Sequence, residues 1–319
     1  MTITLEMRPQ DAPREWDVFV AETGPFSIAI DGYVIGGPRF DPVGPRANFN
    51  HHEFVDRLAT RATCAQVLMA LRQGLLRKFR DKDGPRIVVY TNDCDEDVCT
   101  TWFLLKNHQI SENTMNPVLN RLVHMEDMLD ATAGAYPFPA DLPTLEALAW
   151  IFEPYRRARL NGDLQRRDPV TFTGIVTDVE NRIKNHIMGQ GEKLHLDARY
   201  ERVGGNAQWA MIREVGAQAK TGAFADGIYA YVSVRGRAGG RFDYTIGRMS
   251  PFINFPVAKF WDALNEADDC QDKPDRWGGG EQVGGSPRVG GSGLTPSQVE
   301  EIVNRVSSES QVAELARAQ

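Results

Sequence analysis

The sequence predicts an α/β protein, with a mostly parallel sheet in its N-terminal domain and a smaller α+β domain at its C-terminal end. Three observations lead there. A strand, a polar loop and a helix follow one another twice between Phe26 and Asn107, the order that builds a parallel sheet covered by helices. From Gly204 the texture changes to short runs of β-forming residues with glycine turns. The 319 residues, 42% hydrophobic and 25% charged, are enough for two medium-sized cores. The expected divisions are residues 1–165, a helical connector over 166–200, and 201–319.

In order along the chain, Phe26 to Ile30 reads as a strand broken at Asp31-Gly32, with Tyr33 to Ile35 resuming before Gly36-Gly37-Pro38. The loop after it carries Asn50-His51-His52-Glu53. Leu58, Ala62, Ala65, Val67, Leu68, Leu71 and Leu75 recur at helical spacing, so a long helix is expected from Val55 to the stop at Gly84-Pro85. Ile87 to Tyr90 is an apolar strand ending in Asn-Asp-Cys-Asp-Glu-Asp, and Val98 to Asn107 reads as the next helix. Further helices are expected over Val118 to Leu129, Leu145 to Leu160 and Val176 to Lys193. In the C-terminal part, Ala210 to Gly216, Ile228 to Gly236 and Arg241 to Arg248 read as strands, the last two joined by a turn at Gly239-Gly240. A short helix from Val257, a glycine-rich stretch from Arg276 to Leu294 and a helix capped by Thr295 with Pro296 at its first position close the chain.

The net charge of −7 disfavours a protein that holds nucleic acid by bulk positive charge and suits one that gathers divalent cations. A local basic groove around Arg156, Arg157, Arg159, Arg166 and Arg167 is still compatible with it. Neither a leader nor an apolar run of membrane-spanning length is visible, so a cytoplasmic protein without a membrane partner is expected. The four cysteines form no CxxC pair and read as reduced thiols.

Two loops carry the candidate chemistry. Adjacent histidines such as His51 and His52 have no diagnostic metal spacing by themselves, and a solvated turn explains them equally. Asp93, Asp95, Glu96 and Asp97 crowd into five residues directly after an apolar strand. Such carboxylates repel one another unless a cation or a helix N-terminus compensates them. In open parallel sheets, ligands bind beyond the carboxyl ends of strands, where both loops fall, so the two are expected to share a cleft. A shell of carboxylate oxygen and imidazole nitrogen favours manganese.

These residues resemble a known family. Asp-Cys-Asp-Glu-Asp (93–97) and the helix after it are similar to the Asp-x-Asp-x-Asp motif of the DHH phosphoesterases, especially the RecJ-type exonucleases. Asn-His-His-Glu (50–53), followed by Arg-Ala-Thr-Cys-Ala-Gln-Val-Leu (61–68), is similar to their Asp-His-His motif. Asp130 in Asp-Ala-Thr-Ala-Gly resembles the family's later aspartate. Gly36 to Pro42 resembles the Gly-Gly-x-x-Asp-Pro stretch of one exonuclease branch. The strand ending at Arg248 and the glycine-rich stretch resemble the DHH-associated substrate domain. The likeness spans roughly Phe26 to Leu294 but lies in the motifs. Two departures stand out: Asn50 occupies the family's aspartate position, and the acidic motif follows the histidines instead of preceding them.

The resemblance implies a phosphodiesterase acting on a nucleotide or short single-stranded nucleic acid, with a homodimer allowed. Two Mn2+ ions about 3.5–4 Å apart, with Mg2+ or Co2+ as substitutes, would be held by Asp93, Asp95, His51, Asp130 and either Asp31 or Asp41. His52 would contact the scissile phosphate. Arg248 would act beside it, and Gly279, Gly280, Gly285, Arg288 and Gly290 would cradle the substrate. Asn50 is expected to orient His51 through a hydrogen bond. The other reading is a catalytically decayed relative that binds nucleotides or assembles with partners.

Overall fold

The computed structural model describes residues 2–317 apart from 133, 140 and 274. The chain is mixed α/β and forms two compact units, one of residues 1–131 and 141–195, the other of residues 132–140 and 196–319.

The first unit contains β1 (Thr2–Met7), α1 (Trp16–Glu22), β2 (Ser27–Ile30), β3 (Arg39–Asp41), β4 (Arg46–Phe49), α2 (Thr63–Arg72), β5 (Arg80–Asp81), β6 (Gly84–Thr91), α3 (Glu96–Lys106), α4 (His108–Ser111), α5 (Pro117–Ala131), α6 (Pro143–Ile151), α7 (Glu153–Asn161) and α8 (Pro169–Ile187). Its sheet runs β1-β6-β2-β4-β3, with β5 on β6. The β1–β6, β6–β2 and β2–β4 pairings are parallel, while β3 and β5 add antiparallel edges. All four residues of β2 are buried, as expected for a central strand covered on both faces. Val98, Cys99, Phe103 and Leu104 of α3 and Val67 and Leu71 of α2 supply apolar surface to this core.

In the register, Ala29 stands level with Tyr90 on one side and Asn48 on the other. The carboxyl ends of β6, β2 and β4 therefore emerge side by side, and with them the acidic loop, Asp31 and the histidines. Sheet order, not chain order, makes these three loops neighbours.

The second unit contains β7 (Tyr200–Gly205), β8 (Ala210–Glu214), α9 (Ala219–Ala225), β9 (Ala230–Gly236), β10 (Phe242–Arg248), α10 (Phe260–Ala267), β11 (Gly278–Gly279), β12 (Val283–Gly285) and α11 (Pro296–Arg317). Its sheet is β11-β12-β10-β9-β8-β7, antiparallel except for β8 and β9, which α9 connects as a crossover. Tyr244 and Trp277 stack with ring centroids 5.5 Å apart in a core shared with Phe255, Phe260, Leu264, Val299 and Val303. Thr295 begins α11 as expected: its hydroxyl accepts from Gln298 N–H, and the Gln298 side chain accepts from Thr295 N–H.

Several local expectations are corrected. The helix expected from Val55 begins at Thr63, because the Asp97 carboxylate receives the amides of Thr63 and Cys64 and Asp127 receives that of Ala62. The helix expected over Leu145 to Leu160 is two, divided at Phe152, because Pro154 has no N–H for the Trp150 carbonyl, which accepts from Arg182 instead. α8, expected as part of a connector, packs on α3 within the first unit, where Trp102 Nε1 donates to Glu180. Thr2–Met7, to which the sequence assigned no element, is a strand paired with β6. Among the described residues no helix is long and apolar enough to cross a membrane.

Candidate metal centre

Asp31 follows β2 in a tight turn closed by Tyr33 N–H to Ile30 O, with Asp31 and Gly32 both left-handed at φ 51° and 80°. Aspartate tolerates this conformation better than most residues, and glycine accepts it freely. A Cβ on Gly32 would stand 3.3 Å from the His52 ring, so the turn also admits that ring. Asp31 Oδ1 lies 2.7 Å from His52 Nε2, 3.3 Å from Thr63 Oγ1 and 3.5 Å from His51 Nε2. His51, completely buried after β4, directs Nε2 to within 2.7 Å of Asp130 Oδ2 and 3.7 Å of Asp97 Oδ2. Two overlapping donor sets result, Asp31-His51-His52 and His51-Asp97-Asp130, each with its ligand atoms within 4.8 Å of one another.

Direction matters as much as distance. His51 Nε2 and Asp130 Oδ2 are buried and, despite their proximity, have no hydrogen-bond partner. The atoms converge on a common space more than they point at one another, an arrangement that suits a cation between them. Buried polar atoms otherwise find partners.

The electrostatics agree. Burial opposes ionisation of Asp31, yet the charge and hydrogen bond of His52, with the His51 ring 3.5 Å away, hold its carboxyl far below the usual range. Burial likewise opposes the Asp130 anion, which the His51 charge restores. Burial works against the His51 cation, but Asp130 overrides it and pushes His51 up to about 10. His52 is raised against its burial by Asp31. Burial and the charges of Asp31 and Asp130 push Asp97 up to about 7, against its two helix amides, which favour the anion. Asp95 rises well above the carboxylate range through burial and the charges of Asp31 and Asp93. Without a cation, protons must supply the missing positive charge.

The expected site residues divide accordingly. Asp31, His51, His52 and Asp130 are brought together. Asp95 feels their charge, but its Oδ1 accepts from Val98 N–H as the N-cap of α3, and Asp93 Oδ1 accepts from Cys94 N–H. Asp41 lies on the edge strand β3 and accepts from Val43 N–H, away from the cluster, which leaves Asp31 as the carboxylate of that alternative. Asn50 does not hold His51: its amide nitrogen donates to Val34 O, Gly36 O and Glu53, and its oxygen accepts from His52 N–H. Arg248 donates to the carbonyls of Glu281, Pro251 and Ile253.

Part of the glycine stretch is a β-hairpin with its backbone bonded. Gly279 and Gly285 sit in the β11–β12 ladder, and Gly280 N–H donates to Val283 O. Gly290 N–H donates to Asp275, while the Arg288 carbonyl accepts from Arg237.

Three further residues join the site. Asp97, in the first turn of α3, was visible in the acidic run but not distinguishable from its neighbours, since only the helix phase turns it inward. Arg57 Nη2 reaches the Asp130 carbonyl at 3.2 Å and His51 Nδ1 at 3.3 Å. Tyr155 stands against the acidic loop, where burial and the charges of Asp93, Glu96 and Asp95 push its phenol well up. No sequence signal marks Arg57 or Tyr155. Comparison with models of known families, with curated proteins and with solved structures finds no match for the chain.

Proposed function

We propose that this chain is a divalent-cation-dependent phosphoesterase of the DHH kind, hydrolysing a phosphodiester of a nucleotide or short oligonucleotide. The observation that carries the reading is the convergence of Asp31, His51, Asp97 and Asp130 at the carboxyl edge of a parallel sheet, with His51 Nε2 and Asp130 Oδ2 buried 2.7 Å apart and making no well-directed hydrogen bond. These residues fit a cation: the donors are mixed oxygen and nitrogen, of the kind manganese accepts, and they crowd more carboxylates than the neighbouring histidines neutralise. Asp31, His51, Asp97 and Asp130 would hold the ion or ions. When bound, manganese, or magnesium or cobalt in its place, would supply Lewis-acid charge to phosphate oxygens and acidify water.

The remaining roles belong to the chain. Asp97 is anchored by the α2 amides and Asp31 by Thr63 and His52, so the donors are held before any ligand arrives. The His52 side chain is 35% exposed and fixed through Nε2 by Asp31, and in this reading it would face the substrate's phosphate. No protein nucleophile is required. In this reading the second unit corresponds to a DHH-associated substrate domain.

Manganese binding and hydrolysis of bis(4-nitrophenyl) phosphate and short oligonucleotides test the proposal. His51→Ala and Asp130→Ala should each lower both by more than about 100-fold, exceeding the usual effect of losing a residue behind the ligands. Affinity should also weaken as pH falls, because ligands must shed protons to bind. Full manganese stoichiometry in both variants would rule the centre out.

A further inference from the structure

The geometry points to Arg57, whose guanidinium lies beside Asp130 and the His51 ring, as the residue that grips the substrate's phosphate. The inference rests on the proposed function and adds a substrate-binding group to it. Among the described residues, Arg57 is the one lysine or arginine within ion-pair distance of the converging carboxylates, with Nη2 3.8 Å from Asp130 Oδ2. The nearby arginines are engaged elsewhere, Arg61 with Asp127 and Arg156 with Glu96.

Arg57 Nη2 donates to Asp130 O at 3.2 Å, but the guanidinium is otherwise thinly bonded for so buried a group. Its side chain is 17% exposed, and its Nε is buried with no hydrogen-bond partner. Nη2 also lies 3.3 Å from His51 Nδ1, a single contact that leaves most of the fork's donors for another acceptor. A fork of this kind with spare donors matches two oxygens of a phosphate. A cation taken up by His51 and Asp130 would repel the guanidinium from the same atoms and free it for an anion. Low local dielectric strengthens both effects.

Opposite signs follow. Removing the Arg57 charge should strengthen cation binding and weaken phosphate binding, whereas a residue that merely supports the fold would weaken both. The full chain carrying Arg57→Gln, and separately Arg57→Lys, would be titrated calorimetrically with manganese alone and then, manganese-loaded, with inorganic phosphate.

Arg57→Gln should bind manganese on the order of tenfold more tightly, as relief of one charge repulsion at close range allows, and phosphate on the order of tenfold or more weakly. Arg57→Lys, which keeps the charge without the fork, should bind manganese like the parent and recover part of the phosphate affinity. Should Arg57→Gln not fold, the lysine variant decides: phosphate affinity equal to the parent's overturns the inference, and a partial loss with unchanged manganese affinity supports it. Unchanged or weaker manganese binding in a folded Arg57→Gln, or unchanged phosphate binding, overturns the inference while leaving the proposed function standing. A parent that binds no manganese overturns both.

Discussion

Asn50 donates through one amide nitrogen to the carbonyls of Val34 and Gly36 and to the Glu53 carboxylate, and accepts from His52 N–H. It is fully buried, so each of those partners depends on it. An amide is needed because it carries a donor and an acceptor on one planar group. Asn50→Asp would turn that donor into a charged acceptor facing three others. We expect it to cost about 1–3 kcal/mol of stability, read as a lower denaturant midpoint, even though it recreates the Asp-His-His motif. A midpoint equal to the parent's would show that these bonds do not hold the loop. Asp31 makes the complementary point, since its left-handed backbone is what swings the carboxylate over both histidines.

The elements around the glycine-rich stretch behave as packed structure. A Cβ on Gly285 would lie 2.5 Å from Tyr244 O, and one on Gly279, at φ 151°, would lie 2.3 Å from Gly284 Cα. Backbone atoms cannot yield as a flexible side chain can. Gly279→Val and Gly285→Val should therefore each cost about 1–3 kcal/mol or more by overpacking, measured by urea denaturation. Manganese binding should survive wherever the chain stays folded, because every converging donor lies in the other unit. Parent-like stability in either variant would show that these glycines are not tightly packed. The start of α2 teaches a related lesson: its helical spacing extends back to Leu58, but the carboxylates of Asp97 and Asp127 select where the first free amides stand.

At the scale of the whole molecule, Glu180 joins helices distant in sequence: it is 3% exposed and accepts from Trp102 and Asn107 of the α3 region and from Lys184 of α8. Burial opposes its charge, but hydrogen bonds from Lys184 and Asn107 hold its carboxyl below the ordinary value near 4.5. With the folded value depressed, its contribution is present above about pH 4.5 and is lost as pH falls through the folded value. Glu180→Gln should lower the melting temperature at neutral pH and flatten the loss between pH 5 and the acid limit; a parallel shift at every pH would contradict this assignment. Local signals were enough for the alternation of strands and helices, the cap of α11 and the two loops rich in ligand-type side chains, because apolar periodicity and turn residues act over a few positions. The placement of β2 between β6 and β4, the use of Asp31 in place of Asp41, the inward turn of Asp97, the clamp made by Asn50 and the approach of Arg57 were decided by tertiary structure. Each depends on pairings between residues far apart in sequence, and no local pattern carries that information.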